Sequence, residues 1–197
     1  MKKRIKRDLV PFAPGENTYG LGVVVETWRD DAGKIEKRWK YDLPDSVQVL
    51  GMTEGNEVIA IEESRGGTGP RYLHLVGETM EGDVSRPAPL EHILAEARRG
   101  LREETGYEGS HYMLLSSILE NTGKSDRLIY FVLATGCRKL ARCEAEIKVR
   151  LMAPRAFWGA MMAYFTTNRG AIHGGGNTLK LMALAYDALG LLTIKED

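Results

Sequence analysis

The sequence predicts a mixed α/β fold: a sheet with helices on its faces, preceded by a small β extension. Three observations predict it. Apolar runs of strand length alternate with short turns up to residue 78, one strongly amphipathic helix follows, and further strands lead to two closing helices. This order lacks the regular strand–helix–strand alternation of a doubly wound parallel sheet.

Taken in order, "TYGLGVVVETW" (18–28) and "KIEKRWKYDL" (34–43) read as strands joined by the turn "RDDAGK". They have little apolar mass of their own and must pack on another surface, either the main domain or a second subunit. Residues 1–43 therefore form an N-terminal β extension and 44–197 the main domain. There "SVQVLGMT" and "EVIAIEES" are strands around the turn "EGN", and the loop "RGGTGPR" leads to a third strand, "YLHLVGE". After "TMEGDVSRPAP" comes the helix "LEHILAEARRGLREE", in which Leu90, Ile93, Leu94, Ala97 and Leu101 make one apolar stripe. Gly106 is placed to end it. "HYMLLSSILE", "RLIYFVLAT" and "AEIKVRLMA" read as strands, and "PRAFWGAMMAYFTTN" as a helix opening on proline. The glycine-rich "GAIHGGGN" gives flexible entry to the last helix, "TLKLMALAYDALGLL"; no lysine follows it to make a phosphate loop.

Composition narrows the function classes. Lysine plus arginine equals aspartate plus glutamate at 27 each, so no global field favours nucleic acid or membrane. The basic start "KKRIKR" reads as a solvated, poorly ordered terminus, without a basic stripe elsewhere to make a nucleic-acid surface. No apolar run approaches bilayer length and no apolar segment follows the basic start, so a cytoplasmic location is expected. Cys137 and Cys143 are expected to be reduced, structural thiols. The four histidines show no ligand spacing, and Trp28, Trp39 and Trp158 are core or interface prospects.

The chemistry concentrates in "AEARRGLREETGYEG". At about 100° per residue, Glu104 falls at the edge of the apolar stripe, with Gly100, Glu96 and Glu103 following round the same flank. Carboxylates gathered on one flank suit a hard divalent cation such as magnesium, which keeps several waters and also binds phosphate. The simpler reading is a solvated helix end.

At these residues the chain resembles a Nudix hydrolase, whose signature is G-x5-E-x7-R-E-U-x-E-E-x-G-U. "RGLREETGY" matches at Arg99, Leu101, Glu103, Glu104 and Gly106, with Tyr107 in the last apolar place. "GETMEGD" resembles the preceding loop, with Gly77 as its glycine and Asp83 in place of its glutamate. Residues 44 to 192 resemble the ADP-ribose pyrophosphatase-like branch, whose second strand often ends in Gln-x-Arg; Glu63 and Arg65 stand there. Two departures stand out. Gly100 replaces the first helical glutamate, and fifteen residues rather than seven separate Asp83 from Arg99. A second frame uses Glu91 but puts Ser85 where the glycine belongs.

The resemblance implies an α/β/α sandwich and a hydrolase that cleaves the diphosphate of ADP-ribose or a related nucleoside diphosphate derivative, weakened by Gly100. Magnesium, with manganese as the alternative ion, would sit on Glu103 and Glu104, and Glu96 would partly fill the gap or stay on the surface. Arg99 would orient the glutamates, Arg65 would meet substrate phosphate, and Glu144 or Glu146 would position water. The small β extension would build a homodimer. On this reading, Gly100→Glu strengthens metal binding. The alternative is a non-catalytic protein of the same fold that binds a nucleotide-like ligand or a protein partner.

Overall fold

The computed structural model describes every residue except 12–21, 65–70, 83–85, 121–122, 141–142, 144–146, 168–174 and 192–197. The chain divides into two compact units: Met1–Ser46 with Thr79–Glu81 and Ser117–Ile129, and the remainder, from Val47 onward.

In the first unit three strands form an antiparallel sheet in the order β1 (Lys3–Pro11), β2 (Gly22–Arg29), β3 (Ile35–Asp42). The β2–β3 turn is the expected one: Gly33 adopts φ +82°, and the Asp30 carboxylate accepts the Lys34 amide at 2.8 Å. The basic start corrects its reading as a poorly ordered tail. It is strand β1, and its cations find acids: Lys2 meets Glu36, Arg4 meets Glu26 at 2.7 Å, and Lys6 meets Asp8 at 2.9 Å. Pairing with β2 gives the backbone its hydrogen bonds while the charged side chains stay in water. Asp45 ties the rest of the unit together, accepting the Leu128 amide on its carboxylate and the Met80 amide on its carbonyl, both at 2.9 Å.

The second unit carries the larger sheet. β4 (Ser46–Thr53), β5 (Val58–Ser64), β10 (Leu128–Lys139) and β11 (Lys148–Met152) lie in the order β11-β5-β4-β10, continued by the two-residue β8 (Tyr107–Glu108). β6 (Arg71–His74) pairs with β5, β7 (Val76–Thr79) with β4, and β9 (His111–Leu119) with β10. The expected strand 72–78 is thus two strands broken at the buried Leu75, which join different neighbours. The turn at 54–56 is as read, closed by Asn56 at φ +58°.

Among the described residues there are three helices: α1 (Leu90–Thr105), α2 (Pro154–Thr167) and α3 (Gly175–Ala188). Gly175 and Gly176 belong to the first turn of α3 rather than to a loop before it. Val49, Leu50, Ile59 and Phe131 from the strands and Ile93, Ala97 and Leu101 from α1 are at most 2% exposed. Burying each large side chain stabilises the fold by roughly 1.5–3 kcal/mol. The mixed α/β class read from the element order is the observed one.

Candidate functional site

The site residues are held by α1 and β7. Leu90, expected on the apolar stripe, is 53% exposed in the first turn. The helix rests instead on Ile93, Glu96, Ala97, Gly100, Leu101 and Thr105. Leu101 seats it against β4, close to Gly51, where a methyl group would fall 3.2 Å from its Cδ1. At the far end Gly106 takes φ 74°, the left-handed conformation of a helix-ending glycine, and donates its amide to the Arg102 carbonyl.

Glu96 and Gly100 therefore face inward, and Arg99, Glu103 and Glu104 flank them at intermediate exposure. Arg99 is the hub. Its Nη2 meets Glu96 Oε2 at 2.7 Å and Glu78 Oε1 at 3.3 Å, and its Nη1 meets Glu103 Oε2 at 3.0 Å. A planar fork of donors can serve three carboxylates at once. Burial works against the Arg99 charge, but the Glu96 hydrogen bond and the fields of Glu78, Glu96 and Glu103 outweigh it, and its pKa is raised. Glu96, expected to fill the gap or stay on the surface, is 7% exposed and held on Arg99.

Glu78 was missed by the sequence reading. It stands on β7 directly after Gly77, and its side chain runs across Gly100. A Cβ at position 100 would lie 2.8 Å from Glu78 Cβ, 3.2 Å from its Cγ and 3.3 Å from its Oε2. The space that a helical glutamate would need is filled by a glutamate from the neighbouring strand. The available signal was a mid-helix glycine, which costs up to about 1 kcal/mol relative to alanine and so invites a search for a close neighbour.

Glu91 lies exposed in the first turn of α1, twelve residues before Glu103 and thus about 18 Å away along the axis. It does not join the cluster. Arg65, Asp83, Ser85, Glu144 and Glu146 lie outside the described residues. As arranged, no three histidine, cysteine, aspartate or glutamate side chains among the described residues enclose a metal-sized position; at least three of the carboxylates turn to Arg99 instead. Separately, Pro154, Arg155, Trp158, Tyr186 and Leu191 help line an apolar cavity of about 660 Å³. Of the described residues expected to be catalytic, none lines it.

No protein-family model matches the chain. It is 28% identical over 123 residues to a methanol dehydrogenase activator of Bacillus methanolicus, a match covering 60% of this chain and 62% of that protein. The chain thus spans about three fifths of that relative's length. The fold is similar to the crystal structure of an ADP compounds hydrolase, with a TM-score of 0.69 and 13% identity over 96% of this chain and 94% of that one.

Proposed function

We propose that the protein is a divalent-metal-dependent hydrolase that splits the diphosphate of ADP-ribose or a related nucleoside diphosphate derivative. The observation that carries this reading is the set of glutamates gathered with Arg99 on the inner flank of α1, in a fold shared with an ADP compounds hydrolase. The donor set fits magnesium or manganese in kind: hard carboxylate oxygens from Glu96 and Glu103, grouped by one guanidinium, and from Glu104 on the same flank of α1. Those three residues would hold the ion, and Arg99 would keep their side chains in place. When bound, such an ion stabilises charge on a phosphoryl group and makes a water nucleophilic. Arg65 would contact substrate phosphate, and Glu144 or Glu146 would orient the attacking water. The N-terminal β unit would join two copies of the chain.

A second reading has its own support. Gly100 offers no side chain to a metal, and the relative of 28% identity is named as an activator of another protein. A non-catalytic protein that binds a nucleotide-like ligand or a protein partner meets both facts.

A panel of nucleoside diphosphate derivatives, ADP-ribose among them, incubated with magnesium and with manganese separates the two. The hydrolase reading expects release of a nucleoside monophosphate from at least one member, dependent on the metal and abolished by Glu104→Ala. Turnover indifferent to Glu104→Ala would defeat the assignment of the site, and no turnover from a folded protein that still binds a member of the panel would favour the second reading.

A further inference from the structure

We propose that the apolar cavity bordered by the start of α2 and the end of α3 is a binding site for a small aromatic anion, a flat ring body with a single negative charge. It shares no described residue with the Arg99 cluster, and it stands whether or not the protein is a hydrolase.

The cavity measures about 660 Å³, within the range of roughly 300–1,000 Å³ that small-molecule sites occupy. Its walls are the first residues of α2, with Ala153 before them, and Gly190 and Leu191 after α3. Two aromatic rings meet in its lining. Trp158 is half-buried and Tyr186 is buried, their centroids 5.9 Å apart and their planes tilted by 38°. The Tyr186 hydroxyl donates to the Pro154 carbonyl at 2.8 Å, which fixes that ring against α2. Fixed ring faces bind another ring by offset or edge contact.

Gly159 is an independent sign that the space is kept open. It lies in the interior of α2, where glycine weakens a helix, and its φ is not left-handed. A methyl group there would find no atom of the described residues within 4 Å. In contrast to Gly100, neither backbone conformation nor a close neighbour accounts for this glycine. It borders the cavity, where a larger side chain would take up the room a ligand needs.

Charge selects the ligand. Among the described residues no carboxylate pairs with Arg155, and no acceptor meets the Trp158 indole N–H. The first turn of α2 adds the positive end of a helix dipole. The end of α3 opposes it less, because the Ala185, Tyr186 and Asp187 carbonyls already accept the Leu189, Leu191 and Gly190 amides. A nucleotide fits poorly, since its sugar hydroxyls and several charges would lie against apolar walls without partners. An aromatic ring with one carboxylate or sulfonate matches the ring walls and the Arg155 guanidinium together.

The probe is anilinonaphthalene sulfonate, titrated into the full chain in the presence of chelator and followed by calorimetry. Phenylnaphthylamine is its uncharged counterpart. The parent should take up the sulfonate saturably, one molecule per chain. Arg155→Gln should weaken it by about fivefold or more and leave the affinity for the uncharged probe unchanged. Gly159→Leu should weaken both probes by about tenfold or more while melting no lower than the parent. Leu140→Ser, at an exposed apolar residue of the same compact unit, should bind as the parent does. A folded parent that binds no sulfonate saturably would overturn the proposal. Undiminished binding to Gly159→Leu would put the probe elsewhere and do the same. Equal loss of both probes in Arg155→Gln, or loss of neither, would overturn the anionic class. Leu192→Ser with Ile194→Ser should leave the affinity unchanged; tighter binding would make that segment the occupant and overturn the small-molecule assignment. If Gly159→Leu melts far below the parent, amide shifts of the parent decide. Those of Gly159, Gly190 and Leu191 should move with the probe, and shifts confined to other residues would overturn the site. Because the chelator removes any metal, each outcome is independent of the hydrolase reading.

Discussion

At the scale of single residues, Gly100 is explained by what lies against it. Replacing an internal helical glycine by alanine ordinarily stabilises a helix by up to about 1 kcal/mol. Here the new methyl group meets Glu78 Cβ, an atom fixed to the backbone of β7, at 2.8 Å. Overpacking of that kind costs typically 1–3 kcal/mol and outweighs the helical gain. Gly100→Ala should therefore lower stability by about 1 kcal/mol, measured by urea unfolding, and the same change in a Glu78→Gly background should raise it. A stabilising Gly100→Ala in the parent would contradict the close approach. Arg99 allows a second expectation. Lysine carries one compact charge and cannot reach three carboxylates in fork geometry. Arg99→Lys should melt at a lower temperature and, on the proposed hydrolase reading, lose most of the metal-dependent hydrolysis, about tenfold for each 1.4 kcal/mol of misplaced contact. The sequence displayed Arg99, Glu103 and Glu104 because their spacing is a local property of one helix. It hid Glu78, whose part depends on which strand passes the helix and at what height.

At the scale of elements, the patterns written in apolar side chains were legible: β4, β5, α1 and α3 carry buried runs, and each stands within a few residues of its reading. Gly106 ends α1 as expected because a left-handed residue after the last turn is a local requirement. β1 was illegible because its residues are mostly charged and exposed, and its strand state comes from its partner β2. The glutamate at the centre of that partner strand makes a testable device. Glu26 is 1% exposed, with Arg4 at 2.7 Å, the Trp28 indole at 3.2 Å and Lys40 at 3.6 Å. Burial alone would raise its pKa, but the hydrogen bonds from Arg4 and Trp28 and the charges of Lys40 and Arg4 win, and the pKa is lowered. A depressed folded value means the ionised form is favoured by folding. Its contribution is complete above the unfolded glutamate value of about 4.3 and is lost as pH falls through the lower folded one. Acid titration followed by the fluorescence of the tryptophans should show the unit loosening in that window. Glu26→Gln should be less stable than the parent at pH 7, and the difference should shrink as the pH drops. A constant difference across the titration would remove Glu26 from the account. Cys137, also buried, has its thiol pushed up to about 11 by burial despite a hydrogen bond from the Met52 backbone, which fits an inert structural thiol.

At the scale of the whole molecule, the remaining expectation is association. Antiparallel register puts Val23, Val25, Tyr41 and Trp39 on one face of the three-stranded sheet, with Ile35 and Val10 at its ends. Trp39 is 63% exposed, Ile35 58% and Tyr41 55%. Scattered apolar residues on a surface need no explanation, but Trp39 and Tyr41 are successive on one strand face, with Ile35 beyond the exposed Lys37, and two exposed aromatics side by side are of the kind that marks an interface. Aromatic side chains of this size are also the ones that dominate interface energies. The opposite face is accounted for, since it carries Glu26 and its cations. Stable dimers bury above about 1,000 Å² in total, more than one tryptophan and one tyrosine supply, so the whole strand face must take part. The chain should therefore sediment at twice its 21.9 kDa mass at micromolar concentration. Trp39→Lys combined with Tyr41→Lys should bring it to the monomer mass, because each lysine would have to be desolvated against its counterpart. The variants should keep the parent's far-ultraviolet circular dichroism, as both positions point to solvent in the single chain. If the parent itself sediments at 21.9 kDa at every concentration reached, the patch has another occupant, and the protein-binding reading gains the surface it requires.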